Sequence, residues 1–184
     1  MEDGKVILEG KRLHITLRRL CEELIENYND FQDACIIGLQ PRGVELSDRL
    51  VNDLRGKIKP AAIEYGKLDI TFYRDDFRIR EKPLSASPTE IEFLVEGKRV
   101  LLIDDVLYTG RSVQAALTAL QHYGRPDSVE LLTLVDRRFN RHLPIKANYT
   151  GITVDSLDDA YVRVNWGESF TGHKILMFPK KNDS

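Results

Sequence analysis

Two adjacent aspartates, Asp104 and Asp105, stand between an apolar run and a loop of small residues in the stretch RVLLIDDVLYTGRS, residues 99–112. Burying carboxylates is unfavourable without partners, and two like charges side by side increase the cost. The residues that follow supply hydroxyls, backbone N–H groups beside a glycine and a helix start, which are the parts of a phosphate-binding site. Carboxylates repel phosphate and suit hydroxyls or a metal ion instead, so a sugar phosphate would satisfy both halves of the stretch.

Three other interpretations of the acidic pair compete with a ligand site. An ATPase strand of this kind needs an upstream G-x-x-x-x-G-K-[ST] loop, which the chain lacks. A receiver domain carries its paired acids near the first strand, whereas these come late in the chain. The pair could instead simply cap the loop or helix that follows, and this alternative stays open at the level of sequence.

Alternating apolar runs and amphipathic stretches predict an α/β fold in which helices cover a mostly parallel sheet. Thr16 is the expected cap of the first helix, and residues 61–74 are expected to form two strand-like pieces broken at Gly66. A basic segment, residues 137–156, is predicted to be irregular. No internal repeat or linker interrupts residues 1–184, which predicts a single domain. The main predicted elements are strands 34–39, 98–105 and 128–136, helices 44–54 and 113–120, and short late strands 161–166 and 174–179.

Composition narrows the function classes. The 184 residues are 42% hydrophobic and 30% charged, and the net charge of −2 gives no global basic field of the kind that nucleic-acid binders use. Cys21 and Cys35 are too few and too far apart for a disulfide scaffold or a metal motif. No apolar run reaches membrane-spanning length, and the charged start MEDGKVILEGKRLH lacks a signal-peptide core. These features predict a cytoplasmic protein with no membrane partner.

Five stretches carry a resemblance to a known family. VLLIDDVLYTGRS resembles the phosphoribosyl-pyrophosphate motif of the type I phosphoribosyltransferases. Together with GLQPRGVELSDRL, GKLDITFYRDDF, LVDRR and LPIKANYTG, in that family's order over roughly residues 6–166, it resembles the PyrR family of pyrimidine-operon attenuators and uracil phosphoribosyltransferases. The resemblance implies a type I phosphoribosyltransferase fold with a small hood and a mobile active-site loop. It also implies that uracil and phosphoribosyl pyrophosphate give UMP and pyrophosphate, with Mg²⁺ bound mainly through phosphoribosyl pyrophosphate.

The resemblance also assigns roles to residues of this chain. Asp104 and Asp105 would hold the ribose 2- and 3-hydroxyls and favour the developing cation, and Arg42 completes the catalytic set. Residues 69–96, with Arg74, Asp75 and Asp76 near the start, would form the mobile loop. The remaining substrate-binding residues are Pro41 and Gly43 with Arg42 for pyrophosphate, Val106, Leu107, Tyr108, Thr109, Gly110, Arg111 and Ser112 for the 5-phosphate, and Asp136, Arg137 and Val162 for the base. Many family members have Thr where this chain has Pro41, so one backbone N–H toward pyrophosphate is absent.

The family's second activity is RNA binding, and here the sequence leaves alternatives open. Glu22, Asn27 and Ile152 replace cations or histidine that RNA-binding members tend to carry, which removes positive charge where phosphates would lie. The chain could therefore be a transferase with little RNA binding, a regulator with little enzyme activity, or a transferase for another base, such as a purine salvage enzyme. Family members assemble, so a homodimer or larger homo-oligomer is expected. The candidate RNA-binding cations are Arg18, Arg19, Arg137, Arg138, Arg141 and Lys146.

Overall fold

The computed structural model describes residues 4–59, 63–73, 87–155, 160–168 and 172–179. Within these ranges the chain forms a five-stranded sheet, a three-stranded sheet and three α-helices, which confirms the predicted α/β class. The elements in chain order are β1 (Lys5–Glu9), α1 (Gly10–Tyr28), β2 (Ala34–Leu39), α2 (Gly43–Arg55), β3 (Glu64–Leu68), β4 (Arg99–Leu107), α3 (Arg111–Leu120), β5 (Ser128–Arg138), β6 (Tyr149–Asp155), β7 (Tyr161–Asn165) and β8 (Lys174–Phe178).

The five-stranded sheet has the order β3-β2-β4-β5-β6, and every pairing in it is parallel. The chain leaves β2 through α2 to reach β3 on one side, and then returns to the other side of β2 with β4. The order therefore reverses between β2 and β4. In open sheets of this type, ligands bind outside the carboxyl ends of the strands at such a reversal.

Hydrophobic side chains cover both faces of this sheet. Ile36 and Leu101 belong to a core cluster on the face that carries α1 and α2, whereas Cys35 and Val100 belong to a cluster on the α3 face. This alternation is what a strand buried on both sides requires, since successive side chains point to opposite faces. The near-continuous apolar runs that predicted β2 and β4 follow from the same geometry.

The smaller sheet brings the first and last described strands together. Its order is β1-β8-β7, and both pairings are antiparallel. Val162 on β7 and Ile175 on β8 are buried and join the core cluster that also contains α1 and α2. This sheet is the small hood that the resemblance implied.

Three local predictions about the elements were wrong. Gly66 lies inside β3 rather than breaking it, since it pairs with Ile37 of β2. Glycine fits there because a Cβ would lie 2.9 Å from the carbonyl oxygen of Glu90, which accepts a hydrogen bond from the neighbouring Lys67. Thr16 does not cap α1, which begins six residues earlier, and its hydroxyl instead donates to the carbonyl of Arg12 within the helix. The basic segment 137–156 is not wholly irregular, since it contains the end of β5 and all of β6.

Part of the predicted mobile loop lies outside the described residues. Arg74, Asp75 and Asp76 are among residues 74–86, which the structure does not describe. The two sides of that range come together at Asp69, whose carboxylate accepts hydrogen bonds from the backbone N–H of Thr71 at 2.8 Å and of Ser87 at 2.7 Å.

Candidate functional site

The reversal between β2 and β4 brings two predicted loops to one edge of the sheet. β2 ends at Leu39 and is followed by the predicted pyrophosphate loop, residues 40–43. β4 carries Asp104 and Asp105 beyond its last pairing with β2, which joins Ile103 to Gly38. The sheet topology therefore places the acidic pair and the pyrophosphate loop side by side.

The aspartates lie inside β4 rather than at its end, which corrects the predicted boundary. On its other side β4 continues to pair with β5 as far as Leu107, opposite Asp136. The strand is longer because β5 itself runs on to Arg138. As a result, Val106 and Leu107 belong to the strand, Arg111 and Ser112 to the first turn of α3, and only residues 108–110 form the connecting loop.

Burial changes the acidity of the aspartates. Burial, and after it the negative charge of Asp105, raises the pKa of Asp104 to about 8. Burial also raises the pKa of Asp105. The positive charge of Arg42 lowers the pKa of both groups, so its guanidinium lies near enough to act on the pair. Near neutral pH the free protein therefore holds less than two full negative charges here, and a bound cation would favour full ionisation.

The raised pKa predicts how stability depends on pH. Since the unfolded value is 3.8 and the folded value about 8, folding takes up a proton between these limits, and the free energy of unfolding falls as pH rises through them. Asp104→Asn removes this titration. We therefore expect the free energy of unfolding of the variant to be higher than that of the parent by on the order of 1–3 kcal/mol at pH 8, with a smaller difference toward pH 4. Thermal denaturation at several pH values measures it, with the exposed Asp127→Asn as control. A difference that stays constant with pH would contradict the prediction.

Gly43 lets the pyrophosphate loop pack directly against β4. A Cβ at Gly43 would lie 2.4 Å from the carbonyl oxygen of Ile103 and 3.0 Å from the Cα of Asp104. Both of these are backbone atoms of the strand that carries the acidic pair. Glycine at this position therefore allows the start of α2 to lie close to Asp104. Arg42 directly precedes Gly43 and is exposed.

The predicted phosphate loop has the geometry of an anion site. Gly110 has a φ of +92°, a left-handed conformation that favours glycine, and it lies directly before α3. The Thr109 hydroxyl accepts a long hydrogen bond from the backbone N–H of Arg111 at 3.4 Å. The first backbone N–H groups of a helix have no partner within that helix, so they can point at a bound anion.

The predicted base-side residues lie in two places, beside this loop and on the hood. Asp136 and Arg137 are among the last three residues of strand β5. Arg137 is buried, and its guanidinium carbon lies 3.8 Å from the centre of the Tyr108 ring. Val162 is buried in β7, so its backbone, not its side chain, is what it can offer a ligand. The structure thus brings Asp136 and Arg137 to the phosphate loop, and places Val162 on the hood.

Two residues near the site were not predicted to belong to it. Tyr161 is exposed on the hood, and the guanidinium carbon of Arg42 lies 5.6 Å from its ring centre, so it connects the hood to the pyrophosphate loop. Arg141 donates to the carbonyl oxygen of Tyr108 and to the carboxylate of Asp136. An aromatic residue just before Val162 was the only sequence signal for Tyr161, and for Arg141 there was none beyond its charge.

Most of the predicted RNA-binding cations are engaged elsewhere in the fold. Arg137 is buried, and Arg141 binds within the site as described above. Arg138 forms a two-point ion pair with Asp155, at 2.6 and 2.7 Å, on β6. Arg19 donates to two backbone carbonyls of β6 at 2.9 and 2.8 Å. Only Arg18 and Lys146, of the six cations, are exposed without a hydrogen bond or ion pair of this kind among the described residues.

The described residues offer no ready-made metal cage. Among them, no three His, Cys, Asp or Glu side chains come together as a group that could hold a metal ion. Two carboxylates are present at Asp104 and Asp105, and one or two carboxylates together with substrate phosphates is the donor set that Mg²⁺ commonly uses. The residues therefore fit a Mg²⁺ ion that arrives with a phosphorylated substrate. No helix within the described ranges is long and apolar enough to cross a membrane.

Two solved structures with a similar fold are hypoxanthine phosphoribosyltransferases. A hypoxanthine phosphoribosyltransferase from Staphylococcus aureus has a TM-score of 0.69 at 19% sequence identity, with 96% of this chain and 93% of that chain covered. The hypoxanthine phosphoribosyltransferase of Trypanosoma cruzi has a TM-score of 0.70 at 13% identity, with 96% and 97% covered. At these identities the similarity establishes the type I phosphoribosyltransferase fold alone.

Sequence comparisons are more specific. The family model described as a phosphoribosyl transferase domain matches residues 3–168. A protein of Elusimicrobium minutum named "Bifunctional protein PyrR" is 38% identical over 180 residues, with 97% of this chain and 99% of that protein covered. One of the same name from Desulfosudis oleivorans is 44% identical over 155 residues, with 84% of both chains covered. The chain therefore belongs to the phosphoribosyl transferase domain family and, within it, to the PyrR proteins.

Proposed function

We propose that this chain is a uracil phosphoribosyltransferase, which converts uracil and phosphoribosyl pyrophosphate to UMP and pyrophosphate. The observation that carries the proposal is the meeting of Asp104 and Asp105, the pyrophosphate loop and the phosphate loop at the reversal of the parallel sheet. A ribose with a 5-phosphate and with pyrophosphate at C1 has one group for each of these three parts: its hydroxyls for the aspartates, its pyrophosphate for the pyrophosphate loop and its 5-phosphate for the phosphate loop. A transferase that acts on these metabolites would work in the cytoplasm, as a homodimer or larger homo-oligomer.

The proposed reaction exchanges one bond at C1 of the ribose for another. The bond from C1 to the pyrophosphate oxygen breaks, and pyrophosphate leaves with the electron pair of that bond. N1 of uracil bonds to C1 and releases its proton to water. The ribose ring is positively charged between these events. Asp104 and Asp105 would bind the 2- and 3-hydroxyls below this ring, and their negative charge would stabilise the developing cation more than the neutral ground state.

The leaving group and the 5-phosphate would bind on either side of the acidic pair. The Arg42 guanidinium can donate to two pyrophosphate oxygens at once, and Gly43 lets that loop approach the strand that holds the ribose. The Thr109 and Ser112 hydroxyls and the backbone N–H groups that begin α3 would bind the 5-phosphate. Bound Mg²⁺, held mainly by phosphoribosyl pyrophosphate, would neutralise charge on the departing pyrophosphate.

The choice of base rests on the residues between β5 and the hood. Asp136 and Arg137 lie beside the phosphate loop, and exposed Tyr161 lies on the hood with Val162. In this proposal these two side chains, the Tyr161 ring and the Val162 backbone would surround the base beyond C1. An exposed aromatic ring can stack on a planar base, and backbone groups can read the base edge. A purine transferase uses the same ribose and phosphate residues. Purine specificity is therefore the alternative, and only the base-side residues can distinguish uracil from a purine.

A panel of bases tests the proposal directly. The purified protein is incubated with phosphoribosyl pyrophosphate and Mg²⁺, and uracil, hypoxanthine, guanine, adenine and orotate are offered separately. We expect nucleotide from uracil only. If hypoxanthine or guanine gives a nucleotide and uracil does not, the substrate is a purine. If no base gives a nucleotide, the proposal that the protein is a transferase is wrong.

RNA binding is the second candidate function, and it is favoured by the word "bifunctional" in the names of the relatives. Because Arg138, Arg141 and Arg19 already bind protein groups, we expect only Arg18 and Lys146 to meet phosphates. Two such contacts give a plot of log affinity against log salt with a slope no steeper than about −2. Titration of a pyrimidine-operon leader RNA, with UMP present, measures it. A slope of about −4 would show that the paired arginines also reach RNA.

A further inference from the structure

A short segment after β5 lies directly against the phosphate loop. We call residues 141–145 the strap. The backbone N–H groups of His142 and Leu143 both donate to the carbonyl oxygen of Thr109, at 3.0 and 3.3 Å. The side chain of Ile145 closes over Gly110, where a Cβ would lie 3.2 Å from its Cδ1. The strap therefore packs against the loop through two backbone hydrogen bonds and one apolar side chain.

The first residue of the strap connects two parts of the candidate site. The Arg141 guanidinium donates through one nitrogen to the carbonyl oxygen of Tyr108 and through another to the carboxylate of Asp136. Both side chains of this ion pair are largely buried, with 22% of Arg141 and 18% of Asp136 exposed. A partly buried, charge-assisted pair is held more firmly than an exposed one, because water competes less for its groups.

We propose that Arg141 is a positioning residue that holds the phosphate loop and the base-side carboxylate of Asp136 as one unit. Its guanidinium is rigid and planar and presents two donors in fixed directions, so it sets the distance between its two acceptors. The 5-phosphate would bind at one end of this unit and the base at the other. Arg141 thus governs the affinity for both substrates without touching either of them.

This inference deepens the proposed function and rests on it for the identity of the two substrates. The contacts themselves do not depend on the reaction. A second measurement is therefore available that needs no chemistry: the binding of ribose 5-phosphate, which carries the 5-phosphate and the ribose hydroxyls alone. Its affinity reports whether the phosphate loop keeps its shape, whatever base the enzyme accepts.

The test compares two arginines that lie three residues apart in the sequence, Arg141 in the strap and Arg138 before it. Arg141→Ala removes the connection, whereas Arg138→Ala removes an exposed cation whose partner, Asp155, lies on β6. For Arg141→Ala we expect ribose 5-phosphate affinity, measured by calorimetry, to weaken about tenfold, and the KM values for phosphoribosyl pyrophosphate and uracil to rise about as much. We expect kcat to stay within about threefold of the parent. Arg138→Ala should match the parent, since exposed ion pairs contribute little.

The split between KM and kcat separates positioning from simple loss of folded protein. A variant that merely unfolds in part has a smaller active fraction, which lowers the apparent kcat and leaves both KM values unchanged.

Arg141→Lys is a second variant, which keeps a positive charge beside Asp136 and can be measured if the alanine variant does not fold. We expect its KM values to lie between those of the parent and those of the alanine variant. Unchanged ribose 5-phosphate affinity and KM values in a folded variant would overturn the proposal. If the parent forms no nucleotide but binds ribose 5-phosphate, the proposed function fails and the binding comparison still decides the role of Arg141.

Discussion

Asp104→Asn/Asp105→Asn is expected to lower UMP formation by at least about 1000-fold while the protein remains folded. A single preorganised electrostatic group commonly contributes 100- to 1000-fold, in order of magnitude, to an enzymatic rate. In the proposed reaction both groups would face the same developing positive charge and the same pair of hydroxyls. They lie on one strand, and the Asp105 backbone N–H donates to the Asp104 carboxylate at 2.9 Å. The amide keeps the size of the carboxylate and removes its charge.

The measurement is the steady-state rate with uracil, phosphoribosyl pyrophosphate and Mg²⁺. The matched control is Asp33→Asn/Asp127→Asn, which makes the same change of charge at two exposed residues near the amino ends of β2 and β5. Thermal denaturation of both variants verifies folding, and the acidic-pair variant should be no less stable than the parent, because burial raises the pKa of both carboxylates. A rate within tenfold of the parent would mean that ribose does not bind at the pair.

The parts of the fold that the sequence predicted correctly are those with a strong local pattern. β2, β4 and β5 are buried on both faces and therefore appear as unbroken apolar runs. β6 was missed because it lies at the edge of the sheet, where only Tyr149 and Val154 are buried, so no run or regular alternation marks it. The length of β4 was underestimated because its last residues are held by the equally long β5, and a pairing partner far along the chain leaves no trace in the local sequence.

The candidate site was predictable to the extent that its residues share one contiguous stretch. The acidic pair and the phosphate loop follow each other on β4 and α3, so their proximity needed no tertiary information. The partners of charged residues could not be predicted in this way. Arg138 and Arg141 stand three residues apart in one basic run, yet one pairs with β6 at the surface and the other with Asp136 inside the site. The number of charges in the run does not predict which arginine belongs to the site, because that depends on which element lies beside each side chain.

Gly43→Ala is expected to lower kcat/KM for UMP formation by about 100-fold and to destabilise the protein by about 1–3 kcal/mol. The added Cβ would lie 2.4 Å from the Ile103 carbonyl oxygen and 3.0 Å from the Cα of Asp104, and neither backbone atom can rotate away as a side chain could. The start of α2 must therefore move away from β4. This movement separates Arg42 from the acidic pair, and misplacement of a catalytic group by about 1 Å can cost about 100-fold in rate.

The opposite end of the same helix offers a matched control for this substitution. Gly56 directly follows α2 with a φ of −73°, and a Cβ there would meet only ordinary contacts, the nearest at 3.4 Å. Gly56→Ala should therefore keep the parent's kcat/KM and stability within about 0.5 kcal/mol. Steady-state kinetics and thermal denaturation of the two variants, side by side, measure the difference. If Gly43→Ala matched Gly56→Ala in kcat/KM, the close contact between α2 and β4 would not be what holds Arg42 at the acidic pair, and the flexibility of the pyrophosphate loop would have to absorb the added carbon.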